Sequence, residues 1–216
     1  MASLDQSLKR LGLEYVDVFY HHRMDPETPL EETMEALNYI VKSGRALYAA
    51  ISNYDREHTA RAVEIMGQLR CPLIVNQRRY SIFDRAIEQD GVKAWCRENG
   101  MGIIAFSPLA QGLLTDRYLK GIPADSRIGR DGRFLRSDSL TEARLQQIRA
   151  LDDIARERGQ TLAEMALAWI LKDGDVCSVL IGASRPEQIL DNVRAIQNCR
   201  FTDDELKRID GICGVE

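Results

Sequence analysis

The segment VCSVLIGASRPEQILDN, residues 176–192, contains the pattern on which the fold of this chain depends. An apolar run leads through a turn of small residues into the start of a helix. Ser184 and Glu187 have the spacing of a capping box, and Pro186 falls in the first helical turn, where its missing N–H costs nothing. Free N–H groups and the helix dipole therefore predict a phosphate site at this turn, although an ordinary strand-to-helix turn has the same pattern.

The order of a short strand followed by a helix recurs along the whole chain. Buried, non-alternating runs such as Leu73–Val75 are typical of parallel strands covered on both faces. Strands are predicted at residues 15–20, 46–52, 73–77, 103–107 and 176–181. Helices are predicted at 4–11, 28–43, 55–69, 90–99, 141–158, 161–173 and from 202 onward, with capping boxes at Thr28/Glu31, Thr161/Glu164 and Thr202/Glu205. A long polar loop is expected at 109–139.

Two fold classes fit this alternation, and the ends of the strands decide between them. A doubly wound sheet suits five strands, but its glycine-rich phosphate loops are missing. A (β/α)8 TIM barrel has eight strands in about 250 residues, so this chain would supply only part of one. Four successive predicted strands end in residues suited to hydrogen bonding or stacking, as barrel strands do at the functional rim: His21–His22, Ser52–Asn53, Asn76–Gln77 and Phe106–Leu109.

Composition excludes several classes of function. The net charge is -4 and no face is dense in lysine or arginine, so we expect neither nucleic-acid nor membrane binding. The chain has no apolar leader or long apolar span, and its five cysteines lack C-x-x-C spacing, which favours a cytoplasmic protein with reduced thiols and no metal site. Nothing reads as a linker, so residues 1–216 are expected to form a single domain.

Five motifs, in the same order, resemble the aldo-keto reductases, and especially the branch with bacterial glyceraldehyde-3-phosphate reductases and potassium-channel β subunits. They are VDVFYHH at 16–22, ISN at 51–53, NQ at 76–77, FSPLAQGLL at 106–114 and LIGASRPEQ at 180–188. The resemblance extends over the whole chain. It implies an α/β fold, here a partial (β/α)8 TIM barrel whose five strands correspond to strands 4–8 of the family barrel, and an NADPH-dependent reductase of small aldehydes and ketones.

The resemblance assigns most candidate residues to the cofactor, NADPH or NADP. Ser52, Asn53 and Gln77 resemble the trio that hydrogen-bonds the nicotinamide carboxamide, and Phe106 resembles the aromatic residue that stacks on the nicotinamide ring. The other expected contacts are Ser107, Pro108, Leu109, Ala110 and Gln111 for the pyrophosphate, and Gly182, Ser184, Gln188, Asp191 and Asn192 for the adenosine end. As alternatives, Asn53 could cap the helix at Asp55, Gln77 could be a loop residue, and Phe106 could pack in the core.

Two arginines of the long loop, Arg117 and Arg127, correspond to basic positions that cover the cofactor in this branch. Guanidinium groups bind phosphate in a bidentate manner, so they would favour NADPH over NADH. The loop also alternates arginines with aspartates. A solvated loop that binds nothing is therefore the alternative.

The two adjacent histidines, His21 and His22, should point to opposite faces of their strand. The family pattern selects His22 as the histidine that orients the substrate carbonyl, with a purely structural role as the alternative. The resemblance implies that the aspartate, proton-donor tyrosine and lysine of the family lie in the first third of a complete member, which has no counterpart here. Tyr20, Tyr48, Tyr54 and Tyr80 lie in other motifs, so none of them is assigned as the proton donor. The chain is thus expected to be either a catalytically incomplete reductase or a non-catalytic NADP(H)-binding or interaction module.

A partial barrel has a structural consequence of its own. A closed barrel has no edges, but an arc of five strands leaves its first and last strands with an unpaired side. We therefore expect the sequence to be an N-terminally incomplete part of a longer protein. The isolated chain should be marginally stable, or associate with other copies edge to edge.

Overall fold

The computed structural model of the chain describes residues 2–119 and 140–215, in which strands and helices alternate. The strands are β1 (Val16–His21), β2 (Ala46–Ser52), β3 (Leu73–Arg79), β4 (Gly102–Phe106) and β5 (Val176–Val179). The helices are α1 (Ala2–Leu11), α2 (Leu30–Lys42), α3 (Arg56–Gln68), α4 (Ala86–Gln89), α5 (Val92–Glu98), α6 (Glu142–Glu157), α7 (Leu162–Leu171), α8 (Pro186–Arg194) and α9 (Asp203–Cys213).

The strands form a five-stranded sheet in the order β1-β2-β3-β4-β5, the same as their order in the chain. β1 with β2 and β2 with β3 pair in parallel. Helices connect successive strands, as parallel neighbours require. The predicted parallel α/β arrangement is therefore confirmed. The pairing of His21 with Ile51 and of Ser52 with Gln77 brings the carboxyl ends of three strands to one edge.

Several element boundaries differ from the sequence prediction. β3 continues to Arg79, and β5 ends at Val179, short of the predicted Ile181. The short helix α4 was not predicted. Two 3-10 helices, Ala110–Gly112 and Asp116–Tyr118, lie where the sequence predicted only loop. These pieces are too short to give a periodic pattern, which explains why the sequence did not show them.

Of the four capping boxes predicted from the sequence, two form in the structure and two do not. In α7 and α9, the threonine hydroxyl accepts from the backbone N–H of the glutamate three residues later, and the glutamate accepts from the threonine N–H, for Thr161/Glu164 and Thr202/Glu205. The box predicted at Thr28/Glu31 is wrong, because Pro29 is the N-cap and Thr28 donates to Asp25 instead. The box predicted at Ser184/Glu187 is also wrong, because Arg185 is the N-cap of α8 and makes no side-chain cap.

The chain separates into two compact units, which are described individually. Unit 1 comprises Met1–Arg78 and Ala86–Ile104, and unit 2 comprises Arg79–Arg85 and Ala105–Glu216. In unit 1, α1 is amphipathic and buries Leu4 and Leu8 against Ile40 of α2 and Ala46 of β2. Val16 and Phe19 of β1 pack against the same cluster.

In unit 2 the core is built around α7. Its residues from Leu162 to Ile170 are nearly all buried, and Trp169 packs on Tyr80 with ring centroids 5.2 Å apart. The Arg85 guanidinium lies 4.5 Å from the Trp169 ring and also binds Asp210 of α9 at 2.7 Å. A buried cation is thus held both by an aromatic face and by a carboxylate.

Within the described residues, no helix is both long enough and apolar enough to span a lipid bilayer. β1 and β5 are the outer strands of the sheet. None of the residues of α8 is buried, and an apolar stripe on α8 and the turn after it is exposed, formed by Ile189, Leu190, Val193 and Ile196. This α8 stripe and the outer strands are the surfaces through which copies of the chain could associate.

The difference between real and false capping boxes gives a test of helix stability. Thr161→Ala should lower the free energy of unfolding by about 1 kcal/mol, because it leaves the Glu164 N–H without its acceptor. Thr28→Ala, the matched control in the false box, should change it by only a few tenths of a kcal/mol. Urea unfolding followed by circular dichroism measures both, and equal losses would contradict the assignment of the caps.

The α8 stripe predicts concentration-dependent association of the 216-residue chain. Leu190→Lys with Ile196→Lys should reduce association, because charges replace the apolar surface that contact between copies would bury. Sedimentation velocity over a range of concentrations measures the effect. Gln197→Lys, an exposed polar position beside the stripe, is the control. A wild-type chain that stays monomeric at every concentration and unfolds sharply would refute the prediction.

Candidate functional site

The ends of β1, β2 and β3 in unit 1 form the first group of candidate residues, here called the β1–β3 rim cluster: His21, His22, Ser52, Asn53 and Gln77. The backbone oxygen of Gln77 accepts two hydrogen bonds, from the Ser52 hydroxyl at 2.9 Å and from the Asn53 N–H at 3.0 Å. The Asn53 side-chain Nδ2 donates to Ser52 Oγ at 3.0 Å and to the His22 carbonyl at 2.9 Å. The three strand ends are therefore joined directly by hydrogen bonds.

Asn53 has an unusual backbone conformation, with a φ of 64°. This left-handed conformation is uncommon for residues other than glycine, although asparagine tolerates it better than most. Asn53 does not cap the following helix, because Asp55 is the N-cap of α3 and accepts from the His58 N–H at 2.9 Å. The alternative role considered for Asn53 is thus wrong, and its side chain holds the rim of the sheet.

The side-chain amide of Gln77 is available for a ligand. Gln77 is half-buried, and within residues 2–119 and 140–215 its amide makes no hydrogen bond to protein. Its neighbour Asn76 is fully buried and donates to the Tyr54 carbonyl and to Thr59 Oγ1, both at 2.9 Å. An amide has both a donor and an acceptor, as a carboxamide ligand would require.

The two histidines lie in different surroundings. His22 is exposed just beyond the end of β1, and its imidazole has no partner among the described residues. His21 is half-buried, and a hydrogen bond of 2.7 Å joins its Nδ1 to the hydroxyl of Tyr54. Burial raises the pKa of Tyr54 to about 12, which makes this tyrosine a poor proton donor near neutral pH. The His21–Tyr54 pair was missed by the sequence analysis, since only the fold brings together residues 33 positions apart.

Unit 2 contains the second group of candidates, in the segment after β4. Phe106 is half-buried, Pro108 and Ala110 are buried, and Leu109 is half-buried. Ser107, Ala110 and Gln111 all have positive φ values, 54°, 47° and 61°. The Gln111 side-chain Nε2 donates to Ser107 Oγ at 3.1 Å. Several strained residues in one short segment are typical of a functional loop, because such conformations cost of the order of 1–3 kcal/mol each.

The turn before α8, also in unit 2, carries the adenosine-end candidates. Ser184 is exposed, and its backbone N–H donates to the side-chain oxygen of Gln188 at 2.8 Å. Gly182 is exposed and Asn192 is half-buried. Gln188 therefore takes the capping place that the sequence analysis gave to Glu187. The N–H that would meet a phosphate already binds an oxygen acceptor.

Asp191 and Arg117 are both exposed. Asp191 is exposed and accepts from Arg194 at 2.5 Å, while Arg194 also donates to the buried Glu164 of α7 at 3.0 Å. Arg117 is exposed in the 3-10 helix Asp116–Tyr118. Arg127 lies outside the described residues.

Within the described residues, no group of three or more histidine, cysteine, aspartate or glutamate side chains could hold a metal ion.

The model of the Aldo/keto reductase family matches residues 1–213 of the chain. The chain belongs to this family. The L-glyceraldehyde 3-phosphate reductase of Escherichia coli K12 is 52% identical over 213 residues, which are 97% of this chain and 62% of that protein. A probable voltage-gated potassium channel subunit beta of Oryza sativa subsp. japonica is 38% identical over 193 residues, covering 88% of this chain and 59% of that protein.

A solved structure supports the same assignment. The crystal structure of a thermostable aldo-keto reductase in complex with the inhibitor epalrestat matches with a TM-score of 0.76 and 30% identity. The match covers 98% of this chain and 65% of that chain. The predicted family and the predicted partial (β/α)8 fold are therefore confirmed. The chain spans about 62% of the length of the bacterial aldo-keto reductases it matches.

The buried hydroxyl of Tyr54 predicts a specific alkaline titration. Its pKa of about 12 lies above the ordinary value of 10.0, so the protonated form is favoured in the folded chain. The stability contributed by this preference is complete below pH 10 and is lost as the pH rises toward 12. Tyr54→Phe should remove the late step in a tyrosinate absorbance titration and flatten this loss of stability. Tyr39→Phe, which changes an exposed tyrosine, should leave the late step in place, and its loss there would contradict the assignment.

Proposed function

We propose that this chain is part of an NADPH-dependent oxidoreductase that reduces small aldehydes and ketones to alcohols. The observation that carries the proposal is the β1–β3 rim cluster. Its Ser52 and Asn53 are fixed to the Gln77 carbonyl, while the Gln77 amide stays unengaged by the described protein residues. A prearranged set of hydrogen-bonding groups with one free amide suits a planar carboxamide.

The cofactor contacts are proposed for each unit separately. Ser52, Asn53 and Gln77 would bind the nicotinamide carboxamide, and Phe106 would cover one face of its ring. When bound, the reduced nicotinamide supplies a hydride. The remaining assignments are Ser107, Pro108, Leu109, Ala110, Gln111, Arg117 and Arg127 for the phosphate-bearing part, and Gly182, Ser184, Gln188, Asp191 and Asn192 for the adenosine end.

The Ser184 N–H supports the assignment of the adenosine end. It already binds an amide oxygen of Gln188 at the start of α8. An oxygen of a phosphate would replace that acceptor, and the helix dipole would add to its binding. Release of the Gln188 side chain would then leave its amide for the adenine.

His22 would orient the carbonyl of the substrate. Within the β1–β3 rim cluster its imidazole is exposed, and its own backbone carbonyl accepts from Asn53. The name of the E. coli relative supports a small phosphorylated aldehyde as the first substrate to examine. Tyr54 is fully buried and its pKa is raised to about 12, so it does not suit the role of proton donor.

A second candidate function is a non-catalytic NADP(H)-binding module. The similarity to proteins named as potassium-channel subunits favours it. Such a module would bind the reduced cofactor without consuming it. Binding and turnover must therefore be measured separately.

Binding of NADPH to the 216-residue chain tests the cofactor assignment. Gln77→Ala should weaken binding about fivefold, the effect of losing roughly one hydrogen bond of 1 kcal/mol. Gln68→Ala removes an exposed glutamine at the end of α3 and is the matched control. NADPH fluorescence titration and calorimetry give the affinities. An absence of binding by well-folded wild-type chain, or equal affinities for the two variants, would contradict the proposal.

The same samples, supplied with L-glyceraldehyde 3-phosphate, distinguish the two candidate functions. Loss of NADPH absorbance that depends on the aldehyde supports a reductase. Binding without any such loss supports the non-catalytic module for this chain. In that case, a longer protein containing the chain should restore turnover if the reductase proposal is correct.

A further inference from the structure

The hydrogen bond between His21 and Tyr54 connects the end of β1 to the turn that follows β2. His21 is the last residue of β1, and Tyr54 lies two residues beyond the end of β2. The His21 Nδ1 and Tyr54 Oη atoms are 2.7 Å apart, and the two rings meet edge to face at 75°. The Tyr54 side chain is fully buried. The resemblance to known reductases gives a role to His22 and none to His21.

Tyr54 is also fixed at its backbone end. Its carbonyl accepts from Asn76 Nδ2 at 2.9 Å, from Thr59 Oγ1 at 3.4 Å and from the Arg78 guanidinium. Arg78 in turn donates to Asp90 at 2.8 Å. β3 and α3 therefore hold the main chain of Tyr54, while His21 is the one hydrogen-bond partner of its hydroxyl in the described part of the chain. The residue is a buried link between three elements of unit 1.

Asn53 immediately precedes this link and has the left-handed backbone conformation described above. A strained residue keeps its conformation only when its neighbours are held in place. The Asn53 side chain donates to the His22 carbonyl, so the turn is tied to β1 at two successive residues. One tie uses the His21 side chain, and the other uses the His22 main chain.

Both partners of the His21–Tyr54 bond are held in their neutral forms. Burial lowers the pKa of His21, and the nearby His22 lowers it further. Burial raises the pKa of Tyr54 to about 12. A neutral pair is stable where a buried charge would be costly, so the link costs little electrostatic free energy near neutral pH.

We propose that His21 is a positioning residue of the rim cluster. By holding the Tyr54 hydroxyl, it fixes the turn so that the Asn53 amide and the His22 imidazole keep their places for the nicotinamide and the substrate carbonyl. In this proposal His21 contacts neither the nicotinamide nor the substrate carbonyl. The effect of His21 on cofactor binding rests on the proposed function. The positioning of Asn53 and His22 is a property of the chain without cofactor.

Three variants separate positioning from simple packing. His21→Leu fills the space without a hydrogen-bonding group, and Tyr54→Phe removes only the hydroxyl. His21→Asn is the conservative variant, because an amide atom can take the place of Nδ1. His58→Leu is the matched control, since His58 pairs with Asp55 at the exposed start of α3 and does not touch Tyr54. Circular dichroism selects conditions in which all variants are folded.

The first readout is independent of the cofactor. In nuclear magnetic resonance spectra, the side-chain amide of Asn53 and the ring of His22 should shift in His21→Leu and in Tyr54→Phe alike, and return toward the wild-type positions in His21→Asn. The chain has three histidines, so their ring signals are readily assigned. Unchanged Asn53 and His22 signals in His21→Leu would overturn the inference, whether or not the chain binds NADPH.

The second readout is the affinity for NADPH. His21→Leu and Tyr54→Phe should each weaken binding about fivefold, and the double variant should be no worse than either, because both remove the same hydrogen bond. His21→Asn and His58→Leu should remain within about twofold of wild type. Wild-type affinity in His21→Leu, or additive losses in the double variant, would overturn the inference. A wild-type chain that binds no NADPH would overturn the proposed function, and the spectra alone would then decide the positioning.

Discussion

One carbonyl oxygen, that of Gln77, accepts two hydrogen bonds and so joins the ends of β2 and β3. One donor is the side chain of Ser52 and the other is the backbone of Asn53. Because parallel strands end at the same edge of a sheet, these short-range bonds arrange groups that are distant in sequence. The candidate nicotinamide contacts depend on this arrangement. The Gln77 main chain is held in place by the two hydrogen bonds to its carbonyl.

The surroundings of this edge are arranged so that little net charge is buried near it. The neutral His21–Tyr54 pair lies on one side, and the Arg78–Asp90 ion pair compensates its own charge on another. In unit 1, the Nδ2 of buried Asn76 donates to both Tyr54 and Thr59, while its Oδ1 is buried without a hydrogen-bond partner among the described residues. The two donated bonds favour one geometry, because breaking either leaves a buried group without its partner.

The site in unit 2 shows where sequence patterns mislead. Ser184 and Glu187 match the capping-box spacing as well as Thr161 and Glu164 do, yet Gln188 accepts from the Ser184 N–H. Arg185 in the N-cap position starts the helix one residue later than the motif implies. The same residue spacing therefore forms a capping box at one helix and not at the other, depending on which residue is the N-cap. The positive φ values of Ser107, Ala110 and Gln111 could not be predicted from residue type, since none of the three is a glycine.

The sequence by itself determined the alternation of strands and helices, the family and the ends of strands on which the candidate residues lie. These follow from local hydrophobic pattern and from short motifs, which act over a few residues. Only the tertiary structure decided which residues meet: that Tyr54 is held by His21 and that Asn53 holds the His22 carbonyl. The physical reason is that hydrogen bonds and burial depend on distances in space, and a local pattern contains no information on contacts across more than 30 residues.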